Sequence, residues 1–419
     1  MRPLLTALLA GASLAVLPAL AQDATWLASP GSSDFNTAAN WTPASVPLGI
    51  ATFGNSAIPT LTFSGSRNLD AFQFDAGGPA YTFNLTSGFG LQFGGDGIVN
   101  NSSNAPTFNV DSSPLSFNNA SSAGNAIINV TAGTVQFLGN STPGAAQFNA
   151  ANAGAVFDFS GTIGPGSPGL ISAGSISGAG AFYLGANTLT AGGNNLSTTV
   201  SGVISDCGPT GLDCVSLGAN PGSLVKIGTG TLTLSGANTY TGGTTISGGT
   251  VEAAHATAGS IDAVGPGNIT LDGGTLRATV SGSLLNAITF NDNKPSVLSA
   301  GAQTVTLGNS VTLGPHATAQ FGMPGDTGTI VYGAVSSVAP TAAVVVAGGK
   351  LQDSGNSLVG LTFFAASTTV NAGAVLDFNN SNNQAIRNLM GAGSVVTGTV
   401  GGTSLTLFST RRRPPHSQA

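Results

Sequence analysis

The side chains that could do acid–base or metal chemistry are few and scattered. The chain has 16 acidic residues, 10 Lys and Arg together, and three histidines in 419 residues. Hydrolysis or elimination on a polysaccharide needs two or more carboxylates, or carboxylates with Arg or Lys, converging on one exposed face. Asp158 and Asp377 sit in matching places in GAVFDF and GAVLDF. Far apart along a repetitive chain, they do not meet, and both read as outward strand residues that keep the surface wet and discourage edge pairing. An inserted loop near Asp206 to Asp213 is the remaining place for catalytic carboxylates. His255, His316 and His416 have no second ligand at zinc spacing. Asp262, Asp272 and Asp292 fall at corners where backbone carbonyls could assist a calcium ion. The GGxGxDxUx calcium repeat is absent, and GGDG at Gly94 is a single imperfect echo of it. Ser is plentiful without a GxSxG elbow, and glycine strings such as GAGAFYLG from Gly178 lack the helix and Lys-Ser or Lys-Thr pair of a phosphate loop. The expectation is a chain with no catalytic residue, no cofactor and no metal, in which Lys226 and Tyr240 are capping and ladder residues.

The elements that carry these residues are strands. Charged residues make up 6% of the chain and glycine 62 of its positions, and Glu252 is the one glutamate. With Glu and Lys nearly absent and Val, Thr, Ile and Phe abundant, helix formers are missing and strand formers are present. The outer surface must then be coated by Ser, Thr, Asn and Gly, which suits an anchored or self-associating protein. A formal charge of −6 and pI near 4.7 argue against nucleic-acid binding.

The stretch from Gly228 to Ala253, GTGTLTLSGANTYTGGTTISGGTVEA, shows how the strands are joined. Leu232 and Leu234 point one way and Thr231 and Thr233 the other, while Gly242-Gly243 and Gly248-Gly249 make corners where a Cβ would be a liability. The apolar set restarts at Val251 and Ala253 with Glu252 outward. Related strings recur: VTAGTVQFLG from Val130, ANAGAVFDFSG from Ala151, LDGGTLRA from Leu271, VAGGKLQ from Val346 and VNAGAVLDFN from Val370. Their spacing of about 21 to 25 residues fits one turn of a parallel β-helix with three short strands and three corners. Roughly fifteen turns would stack to about 70 Å. Asn-rich corners, Asn194-Asn195 and Asn379-Asn380, offer amide ladders or ordinary turns. No linker interrupts the texture, so residues 61–408 form one repeat body behind a cap region at 22–60.

Residues 1–21 stand apart. Arg2, the apolar run LLTALLAGASLAVL, Pro18 and the small-x-small end Ala19-Leu20-Ala21 make a secretory signal peptide cleaved between Ala21 and Gln22. The mature chain then has no transmembrane helix. Export makes Cys207 and Cys214, in CGPTGLDC, a structural disulfide.

Lys226 to Val251 closely resembles the autotransporter-associated β-strand repeat of bacterial autotransporter passengers, through Gly228, Gly230, Leu232, Leu234, Gly236, Tyr240, Gly242, Gly243, Gly248 and Gly249. Trp26 to Pro47 resembles the start of such chains, and Thr368 to Val395 a diverged coil. The resemblance implies an all-β, right-handed parallel β-helix at the surface of a Gram-negative-type cell or outside it. It implies adhesion, self-association or surface coating, with cell-surface components or polysaccharide as partners, and no enzyme. A carbohydrate-active β-helix is the alternative. The family's translocator barrel is not in the sequence. After Thr410 the repeat idiom gives way to RRRPPHSQA, so residues 409–419 read as a basic tail: either the product of a frameshift or truncated gene, or a natural tail that touches anionic lipid or polysaccharide.

Overall fold

The computed structural model describes residues 22–86, 88–165, 169–208, 221–333, 335–355, 365–379, 384–398 and 405–408. The signal peptide, Cys214, Asp213, His416, Asn380 and the basic tail lie outside them. The described residues form a parallel β-solenoid with almost no helix, a three-residue 3-10 turn at Ala38–Asn40 being the exception. One sheet runs its full length, from Thr60–Thr62 to Leu389–Met390, with one strand per turn and about 15 turns. At the usual strand separation that stack is about 70 Å long. The coil length varies: the step from Ile128 to Phe148 is 20 residues, whereas Thr229 bonds to Asn195, 34 residues back.

Two further faces complete the body, and neither runs its whole length. An early flank begins where Ala24–Trp26 pairs with Trp41–Thr42 and Ile50–Phe53, and climbs to Ile204–Ser205. A late flank of eight strands begins at the hairpin Ala256–Thr257 and Ser260–Ile261 and climbs to Ser394–Val396. The third face, also of eight strands, runs from Leu170–Ala173 to Val335–Val338. The Ile127–Phe137 strand bends through a corner and pairs in both the long sheet and the early flank.

Period-two alternation fills the core. Leu232, Leu234, Val251 and Ala253 are buried, while Thr231, Thr233, Thr250 and Glu252 face out, as the sequence predicts. The early coils are filled by phenylalanine. Phe72 is fully buried and its ring centroid lies 4.9 to 6.0 Å from those of Phe35, Phe53, Phe83, Phe93 and Phe108. Trp26 and Trp41 meet edge to face at 5.0 Å and close the first turn. Later coils use Leu, Val and Ile. On the third face the outward positions Thr190, Val225, Thr245, Thr270, Thr289 and Thr312 are in register.

The amide ladder forms on strands and not at the expected corners. Asn109 donates to Asn84 at 2.9 Å, Asn129 to Asn109 at 3.1 Å and Asn149 to Asn129 at 3.4 Å. Strand positions repeat in strict register, whereas corners differ from coil to coil. Asn194 instead bonds to Ser175 and Asn195 to Thr229. Asp158 and Asp377 also depart from expectation, being 6% and 8% exposed and not outward. Each ends its strand and turns back to accept the backbone N–H two residues on, Ser160 at 2.9 Å and Asn379 at 2.9 Å. They lie in different flanks, so the two do not meet. Phe72→Ala is expected to destabilise the early coils by about 3–5 kcal/mol, and Asn129→Ala by about 1 kcal/mol, measured by hydrogen exchange of those coils. Equal effects would contradict a core held mainly by ring packing.

Candidate functional site

The early flank ends at Ser205 and the late flank starts at Ala256, so the intervening segment, residues 223–253 and nearly two turns long, must join two sheets that do not share a strand. It forms strands on the third face, Ser223–Lys226 and Thr244–Ile246, and on the long sheet, Thr231–Leu234 and Thr250–Ala253. On the flank it forms none. Residues 236–240 still alternate, with Asn238 and Tyr240 buried and Thr239 exposed. The inward phase of Leu232 and Leu234 therefore continues through Gly236 to Tyr240.

Asn238 closes the gap. Its Oδ1 accepts from Ile204 N at 2.7 Å in the turn below, and its Nδ2 donates to Ala263 O at 2.5 Å in the turn above. One side-chain amide thus satisfies a backbone donor and a backbone acceptor that no neighbouring strand reaches. Tyr240 is fully buried beside it, its hydroxyl 2.5 Å from Thr244 Oγ1, which donates to Val264 O at 2.9 Å. Burial raises the Tyr240 phenol well above its ordinary value. Gly243 has φ of +98°, and a Cβ there would run into Asn268 O, so this corner accepts glycine alone.

Lys226 occupies an inward strand slot and is 1% exposed. Its Nζ donates to Ile227 O at 2.7 Å and reaches Gly248 O at 3.5 Å, and no carboxylate pairs with it among the described residues. Desolvation lowers its pKa. The ammonium thus serves carbonyls at the Gly228 and Gly248 corners. Glu252, outward, accepts from Thr233 at 3.0 Å and pairs with Arg277 on the next turn at 3.6 Å.

The other candidates are engaged elsewhere. Asp206 accepts from Gly222 N at 3.0 Å and from Thr241 Oγ1 at 2.7 Å, tying two corners together. Asp272 pairs with Lys294 at 2.6 Å. Asp262 pairs with His255, Oδ1 to Nδ1 at 2.6 Å, across the hairpin that opens the late flank. Burial alone would raise the Asp262 carboxyl, but hydrogen bonds from His255 and Thr257 and the His255 charge outweigh it and hold it below its usual range. This pair was not legible in the sequence, where seven residues separate its members. Among the described residues no three His, Cys, Asp or Glu converge as metal ligands, and no helix is long and apolar enough to cross a membrane. Cys207 is disulfide-bonded, and Cys214 lies outside the described residues.

Residues 224–253, nearly all of the joining segment, match the model of the passenger-associated-transport-repeat. That match and the solenoid together fit an autotransporter passenger-like repeat protein. No curated protein and no solved structure matches the chain. Within the matched repeat, Lys226, Asn238 and Gly243 each meet a neighbouring turn and Tyr240 does so through Thr244, so its pattern describes how one turn meets the next.

Two outcomes follow for the matched repeat. Asn238→Leu keeps the volume but strands Ile204 N and Ala263 O, and is expected to cost about 2–4 kcal/mol by denaturant unfolding, against a near-neutral outcome if the amide were dispensable. Lys226 has a folded pKa below its unfolded value of 10.5. The folded state therefore holds fewer protons over that interval, and its stability rises as pH climbs from the folded pKa toward 10.5. Tyr81, pushed up to about 12 by burial, and Tyr240 and Tyr332, also raised, act oppositely, losing stability for the fold once pH passes 10. Comparing wild type with Lys226→Met isolates the lysine: wild type should gain on the variant as pH rises toward 10.5, and parallel curves would refute the assignment.

Proposed function

We propose that the chain is an exported, non-enzymatic passenger of autotransporter type, carried out by the leader at residues 1–21 and standing at or beyond the cell surface as a stiff rod. The observation that carries this reading is the coincidence of the matched repeat with the segment that joins the two flanks, where residues 236–240 form no flank strand. A turn that fits its neighbours on both sides by side-chain splices suits coil-by-coil folding during export, because each coil contacts only the adjacent ones. We read the coils as right-handed, as nearly all parallel crossover connections are.

Adhesion, self-association or surface coating is the role this reading assigns, with cell-surface polysaccharide among the partners. The support is the outer face: hydroxyls and amides in register, few charges, and carboxylates used to cap corners and tie turns. A carbohydrate-active enzyme would need acidic groups free to converge on substrate, and Asp158, Asp206 and Asp377 each hold backbone N–H groups instead.

In the native host, protease added to intact cells should digest the chain, or the medium should contain it, and purified protein should release no reducing ends or unsaturated uronides from a polysaccharide panel. Retention in the cytoplasm would remove the passenger reading, and sustained turnover of any polysaccharide would replace it with the enzyme.

A further inference from the structure

The change of flank leaves a hollow. Three successive turns border a cavity of about 280 Å3, with Thr239 below, Ser260, Asp262 and Pro266 from the opening hairpin, and Leu285 and Asn286 above. It exists because residues 236–240 form no flank strand while the hairpin projects beside them, so the wall is set back for one turn. Its volume is close to the lower end of small-molecule sites, about 300 Å3, room for a single sugar ring and little more.

The chemistry of the wall selects the occupant. Both amide hydrogens of Asn286 are taken, by Gly265 O at 2.8 Å and Gly267 O at 2.5 Å, which leaves Oδ1 as an acceptor without a partner among the described residues on a side chain 4% exposed. Asp262 also only accepts, and a carboxylate has about four acceptor positions, more than His255 and Thr257 fill. The hydroxyls of Thr239 and Ser260 have no partner among the described residues and can both donate and accept. Leu285, 59% exposed, and Pro266 supply an aliphatic surface. A fitting ligand must bring several donors and an apolar edge. It carries no negative charge, since no Lys or Arg lines the cavity and Asp262 would repel it. It is no quaternary ammonium either, because no aromatic ring lines the wall.

The geometry points to a binding site for one neutral pyranose unit of a glycan, held through its hydroxyls by Asp262, Asn286, Ser260 and Thr239 with its C–H face on Leu285. The proposal rests on the surface-passenger reading only for where such a glycan is met, and on the cavity for everything else.

The test uses the full exported chain and saturation-transfer NMR titration with the methyl glycosides of glucose, galactose, mannose and N-acetylglucosamine. At least one should bind saturably, with Kd of about 0.1–10 mM. Leu285→Asp and Thr239→Trp change exposed side chains, so circular dichroism and melting should match wild type, while affinity falls about tenfold or more. The methyl glycoside of glucuronic acid should bind at least about tenfold more weakly than its neutral counterpart. Absence of saturable binding by all four neutral glycosides, unchanged affinity in both folded variants, or uronide binding as tight as neutral would overturn the site. Protease accessibility on intact cells is read separately: a surface-exposed chain that binds no glycoside loses the site and keeps the passenger reading, and a cytoplasmic chain that binds one does the reverse.

Discussion

Along the sheets of a solenoid, each backbone donor and acceptor must be met by the turn above or the turn below, because no other strand is within reach. That requirement governs the molecule. Where strands stack, the peptide groups pair and the side chains alternate between core and surface, as they do along the long sheet. At the corners the chain must turn within a rung spacing of about 4.8 Å, and glycines such as Gly243 let one backbone pass close under the next. Where stacking fails, a side chain takes over.

Within residues 223–253 it fails on the flank, where 236–240 form no strand, and the matched repeat is there. Asn238 does what a strand would have done, bonding Ile204 below and Ala263 above. Tyr240 and Thr244 fill and bond the space beside it, and Lys226 supplies donors to corner carbonyls from inside the core. A buried lysine without a carboxylate is costly, so its presence argues for a backbone arrangement that has no cheaper donor. The same interruption that calls for these residues sets back the wall and opens the cavity under Leu285.

Charge follows the same economy. The acidic residues are mostly fasteners: Asp158 and Asp377 cap their own corners, Asp206 joins two, and Asp34 accepts from Ser64 one turn up. What remains for the exterior is threonine, serine and asparagine in vertical files. A face of that kind meets water evenly and has little long-range attraction for a charged partner.

The sequence by itself determined the coil: the strand class, the inward phase of Leu232, Leu234, Val251 and Ala253, the glycine corners and the stacking along one axis. Those depend on contacts within a few residues and on a repeating pattern, and both are local. Only the tertiary structure decided which side chains meet across coils. The ladder from Asn84 to Asn149, the His255–Asp262 pair and the splice at Asn238 join residues in different strands or turns. The step between turns ranges from 18 residues, Leu170 to Thr188, to 35, Thr188 to Ser223, so register is set by where loops are inserted and not by any fixed spacing along the chain. One signal for Asn238 was present, since the even-numbered inward phase from Leu232 reaches it and Tyr240. What it would bond to depended on two sheets ending where they do, and that is a property of the stack as a whole.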